Sequence, residues 1–146
     1  MICAGQPITS PGGHCHFWGG EANSIEEAIE VINRQALASV DLIKVMVTGG
    51  SMTPKSRPSD SQFDLDFLIK IVGEAKRLNY PVAAHCHGSD GILKATKAGV
   101  STIEHCSWVG ESGWGRSFDM KTATLIAKKE IWVSPTVNSG WARFLE

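Results

Sequence analysis

Short apolar runs alternate with amphipathic stretches along this chain, and the alternation reads as strand, helix, strand, helix. After an opening strand comes the Gly-rich loop PGGHCHFWGG. Ser24 followed by Glu27 has the spacing of a capping box, and Ile25, Ala28, Ile29 and Ile32 then recur at helical intervals. Val40 to Thr48, VDLIKVMVT, is β-branched, too short and too uniformly apolar for a surface helix, and reads as a buried strand. The loop GGSMTPKSRPSD follows. Leu65, Leu68, Ile69, Val72, Ala75 and Leu78 then form one apolar stripe, which predicts a helix from about Leu65 to Leu78 with Asp64 as its N-cap. Next come the strand PVAAH, a helix opened by Ser89 and closed by Gly99, and the strand VSTIEH. Asp119 caps a further helix through about Lys129, and IWVSPT is the last strand.

One helix between successive strands means parallel pairing and right-handed crossovers, which places the chain in the α/β class. An open doubly wound sheet and a closed barrel both fit that pattern, and periodicity does not choose between them. The 146 residues suffice for one domain with a core. A formal charge of -1 with 20% charged residues gives no sign of a nucleic-acid surface or an anionic membrane partner. No apolar run approaches the ~18 residues needed to span a bilayer, and the start MICAGQPIT has neither a basic nor a long apolar region, so no signal peptide is expected. Cys3, Cys15, Cys86 and Cys106 show no CxxC spacing, and free thiols in a reducing cytoplasm are the expectation.

Polar residues at strand ends change the picture. Lys44 lies inside LIKVMV, His85 ends PVAAH with His87 two residues on, and His105 ends STIEH. In α/β folds the carboxyl ends of the strands face the ligand site. Period-two alternation puts His85 and His87 on one face, with Cys86 turned towards the helices; Cys106 should stand in the same relation to His105. Glu104 should then face away from His105 and make a structural ion pair. Each residue also has an ordinary structural reading: a hydrogen-bonded histidine, a snorkelling or ion-paired lysine. For Lys44 the functional reading is an amine whose pKa burial depresses, leaving a neutral nucleophile that captures carbon dioxide as a carbamate bridging two metal ions. His14, His16 and Trp18 in the first loop either line a pocket or decorate a turn, and Trp108 and Trp114 either rim a site or pack within their loop.

Taken in order, IKVMVTGG, PVAAHCHGSDGI, AGVSTIEHCS and VSPT resemble the amidohydrolase superfamily, in the branch of imidazolonepropionase-like enzymes and zinc-dependent Xaa-Pro or Xaa-Arg dipeptidases. PGGHCHFWGGEA fits the family's loop after the third strand, so the resemblance covers nearly the whole chain. It implies a partial (β/α)8 TIM-type barrel of the metal-dependent hydrolase type, holding one or two divalent metals, zinc by preference. Lys44 matches the fourth-strand lysine that becomes carbamylated, His85 the fifth-strand ligand and His105 the sixth-strand ligand. His87 matches a second fifth-strand histidine, assigned a catalytic, substrate-side role; His14, His16 and Trp18 are the implied substrate-binding set. The implied reaction is hydrolysis of a C–N bond in a small amide or dipeptide-like substrate by a metal-bound hydroxide.

Two of the family's features have no counterpart here: the first-strand His-x-His pair and the eighth-strand aspartate. Residues 1–146 are therefore expected to be the central part of one barrel domain, strands three to seven, inactive alone, from a parent that forms homo-oligomers. The alternatives are a non-catalytic metal-binding remnant of such a barrel and a phosphate-binding doubly wound domain. The last is disfavoured because TGGSMTP carries neither a Walker nor a dinucleotide fingerprint.

Overall fold

Apolar side chains at every second position of successive strands build the frame. The structure, a computed structural model, describes residues 1–136. Its helices are α1 (Ile25–Leu37), α2 (Leu65–Arg77), α3 (Ser89–Ala98) and α4 (Met120–Lys128); its strands are β1 (Ile43–Met46), β2 (Val82–Gly88), β3 (Thr102–Val109) and β4 (Trp132–Ser134). All pairings are parallel and the order is β1-β2-β3-β4. A doubly wound sheet reverses its order at a switch point, and this sheet does not, so the arrangement is the arc of a barrel. The expected opening strand lies along the free edge of β1: Ile8 N–H donates to the Lys44 carbonyl at 2.8 Å, and Met46 N–H donates to the Ile8 carbonyl at 2.8 Å.

The two faces of the sheet separate by alternation. Ile43, Val45, Val47, Val82, Ala84, Cys86 and Ile103 join Ile32, Leu68, Val72 and Ile92 of the helices in one buried core. Lys44, Met46, Ala83 and His85 lie between those core positions on their strands, and so face the other side. The helix ends follow the residues that predict them. Ser24 Oγ accepts from Glu27 N–H at 3.2 Å, Asp64 accepts from Phe67 N–H at 2.8 Å, and Gly99 closes α3 with φ 80°.

β3 departs from expectation. Its pairing to β2 runs Ala84 with Ile103, His85 with Glu104 and Cys86 with His105, then jumps to Gly88 with Val109. His87 of β2 thus stands against Cys106, Ser107 and Trp108, a bulge in β3. His105, Cys106 and Trp108 take left-handed φ values of 70°, 49° and 50°. Side-by-side partners in a parallel sheet share a face, so Glu104 shares the face of His85 and not that of the helices. The expectation that Glu104 faces away from His105 is corrected: simple alternation fails at His105, where the strand is no longer extended. Among the described residues Glu104 forms no ion pair; its carboxylate accepts from Thr102 Oγ1 at 2.7 Å.

Candidate metal centre

Strict alternation from Glu104 would send His105 towards the helices with Cys86. The left-handed turn at His105 brings its ring back, to 4.7 Å from the His85 ring and 4.5 Å from that of His87, centre to centre. His85, His87 and His105 each offer one ligand atom, all within 4.8 Å of one another.

Hydrogen bonds orient each ring. His85 Nε2 lies 3.1 Å from the Gly49 carbonyl, which only accepts, so Nε2 carries the proton and Nδ1 keeps a free lone pair. His87 Nδ1 pairs with Ser107 Oγ at 2.9 Å, and His105 Nδ1 with Thr136 Oγ1 at 2.6 Å. One nitrogen of each ring is thus held by the protein and the other is left over, the usual setting of a metal-ligating imidazole. Burial, with the neighbouring imidazoles second, pushes the pKa of His85 down to about 2 and that of His87 to about 4; burial and then the Lys44 charge lower that of His105. Neutral imidazoles with free lone pairs are the form that metals bind. The donor set therefore fits a divalent cation.

Lys44 lies in the same cavity, of about 260 Å³, with His14, Cys15, Trp18, Ser51, Met52, His85, His87 and His105. Burial lowers its amine pKa, and the nearby Glu104 charge opposes the shift without cancelling it. His14 is buried, lies tilted against His85 with ring centres 4.7 Å apart, and places Nδ1 3.2 Å from Thr53 Oγ1. A β-carbon on Gly50 would overlap that ring, so the second glycine of TGGS makes room for His14. Trp18 borders the cavity, whereas His16 does not; it sits in the short turn His16–Trp18, its ring 5.7 Å from Phe17. The expected grouping of His14, His16 and Trp18 is thus only partly brought together.

The four cysteines are free thiols. Cys86 is wholly buried in the core, with its thiol pushed up by desolvation, and Cys106 packs against the same core, its pKa raised to about 11. Cys15 instead lines the cavity, which sequence reasoning missed. Cys15 sits between His14 and His16 with a left-handed φ of 57°, a backbone conformation that its residue type does not announce. The hydrogen-bonding residues Thr53, Ser107 and Thr136 were also missed, because nothing in a sequence marks a hydroxyl that meets a ring from another strand.

The chain matches the amidohydrolase family over residues 4–144 and belongs to that family. It is 38% identical over 102 residues to ochratoxinase of Aspergillus niger, a stretch that makes up 67% of this chain and 21% of that protein. A crystal structure of a Xaa-Pro dipeptidase with bound methionine in its active site superposes on 97% of this chain and 36% of its own, with TM-score 0.81 and 26% identity. The crystal structure of A. niger ochratoxinase superposes on 90% of this chain and 34% of its own, with TM-score 0.75 and 28% identity. The chain thus spans about a fifth of the curated relative and about a third of each of these structures. The sheet is accordingly a part of a TIM-type barrel of the amidohydrolase kind.

Proposed function

We propose that Lys44, His85 and His105 are ligands of a divalent metal centre, zinc by preference, in a hydrolase of C–N bonds in small amides. The single observation that carries this reading is the convergence of neutral, oriented imidazoles on the cavity that also holds Lys44. A metal bound there would polarise a substrate carbonyl and lower the pKa of a water towards ~7. Burial lowers the pKa of the Lys44 amine, which favours the neutral form that takes up carbon dioxide as a carbamate, a group that would supply oxygen ligands for a second ion. His87, hydrogen-bonded to Ser107, is placed to hold or pass a proton at its Nε2. His14 and Trp18 contact the substrate, and His16, off the cavity, is left out of that set.

This chain is read as the central part of such an enzyme. One observation favours the second reading, a metal-binding remnant without turnover: among the described residues lining the cavity there is no carboxylate to accept a proton. Metal analysis of protein produced in zinc- or manganese-supplemented medium without chelator is the first test. About one or two ions per chain are expected, lost in His85→Ala and His105→Ala, and a metal-free product overturns the reading. The 146-residue chain should show no amide hydrolysis; turnover that disappears in His105→Ala would contradict its assignment as an incomplete site. In the complete parent, Lys44→Ala should lower metal occupancy, with partial recovery on adding a short carboxylic acid. Full activity without Lys44 would rule out the carbamate.

A further inference from the structure

Large apolar side chains are exposed where the cavity opens. Trp18 is 51% exposed, Met52 69% and Trp114 55%. Exposed apolar groups scattered singly need no explanation, but a cluster around a polar cleft marks a binding surface. Trp18 and Met52 border the cavity from the β1 side, on the loop after Ile8 and the loop after β1. Trp114 comes from the loop after β3, on the opposite side of the β2 histidines, and meets the His87 ring edge-on at 4.9 Å. That loop is folded back by Gly115 N–H donating to the Ser107 carbonyl at 3.0 Å and by Ser117 N–H donating to the Trp108 carbonyl at 3.1 Å. Gly113 and Gly115, with φ 103° and 71°, supply the conformations on either side of Trp114 that hold it over the site.

The other residues lining the cavity are Lys44, histidines, Cys15 and Ser51, so an apolar group of a substrate finds its cover on Trp18 and Met52 at this rim and on Trp114 beside His87.

Resting on the metal-centre reading for where the scissile bond lies, we infer that the substrate carries a flat, uncharged apolar group beside that bond, an aromatic ring by preference, received between Trp114 on one side and Trp18 and Met52 on the other. Amides with an aryl group next to the scissile bond suit this site.

The test is calorimetric titration of the metal-loaded protein with N-benzoylglycinamide and N-acetylglycinamide. The benzoyl amide should bind about tenfold more tightly than the acetyl amide, from burial of one ring. In Trp18→Ala combined with Trp114→Ala, the benzoyl preference should shrink to about threefold or less, while metal content and the circular dichroism spectrum stay as in the parent. Tyrosine at both positions should restore most of the preference. Equal affinities for benzoyl and acetyl amides, or a preference that survives loss of both rings, would overturn the inference. Repeating the titrations on chelator-treated protein separates the two readings. A benzoyl preference in a protein that never takes up metal would remove the metal centre and keep the apolar site. Bound metal with no preference would remove the apolar site alone.

Discussion

Lys44 and His85 were readable as unusual because each interrupts an apolar strand, and their placement follows from alternation alone. Lys44 pairs with Ala83 and Met46 with His85, so both polar residues fall on the face opposite the core. His105 was readable only as a strand-terminal histidine. Its ring reaches the cluster through a left-handed backbone that non-glycine residues rarely take, and no residue type in EHCSW announces it. Two predictions belong at this scale. Burial depresses the His85 pKa from 6.5 to about 2, so between those values the unfolded chain binds a proton that the folded one does not. Stability is therefore fully present above about pH 6.5 and falls as the pH drops, by about 1.4 kcal/mol per pH unit for this group alone. Denaturant unfolding of the metal-free protein at pH 7.5 and pH 5 measures the slope, and His85→Gln should flatten it; an unchanged slope in the variant would remove His85 as its source. Gly50→Ala should push the His14 ring off His85 and destabilise by about 1–3 kcal/mol, through overpacking against a buried side chain. A variant as stable as the parent, with the His14 ring resonances unmoved, would show that the loop gives way instead.

Helices were more legible than strands because their termini are written in residue types. α1 begins at the expected Ser24 cap, although its second half differs from a standard capping box: Glu27 Oε2 accepts from the Asn23 N–H at 2.6 Å, one residue upstream of the cap itself. α2 ends at Arg77, with Leu78 as its C-cap, and α3 ends at Ala98, next to the expected glycine. Ser24→Ala should cost about 1 kcal/mol, read from the denaturation midpoint at constant slope, because one helix-terminal N–H loses its acceptor. No loss would mean that Glu27 alone secures the end. Strand extents were less legible: β1 is confined to Ile43–Met46 within the apolar run from Val40 to Thr48, whereas β3 runs on past His105 to Val109. An apolar run marks burial, but pairing depends on neighbours remote in the sequence. The bulge against β2 arises at this level, where Gly88 and Val109 realign after the irregular stretch.

At the scale of the molecule, the choice between an open sheet and a barrel arc rested on strand order, which no local pattern encodes. The sequential order β1-β2-β3-β4, with the core on one face and Lys44 and the histidines on the other, decides it. That same arc leaves its last strand poorly covered. β4 pairs with β3 through Thr102 with Trp132, Ile103 with Val133 and Glu104 with Ser134, and among the described residues no strand pairs with its other edge. Trp132 is 78% exposed and Val133 40%, on a strand of a parallel sheet, where both faces are normally buried. An unpaired edge carrying exposed apolar side chains is a template for association with another chain. The 146-residue chain on its own should therefore self-associate at concentrations on the order of tens of micromolar. Light scattering coupled to size exclusion should show the monomer fraction falling as concentration rises. Trp132→Lys places a charge on the exposed edge and should raise the monomer fraction, with little effect on the unfolding midpoint, because the indole it replaces is mostly in solvent. A chain that stays monomeric throughout, or a Trp132→Lys variant that associates as readily as the parent, would mean that this edge is covered by another part of the same chain.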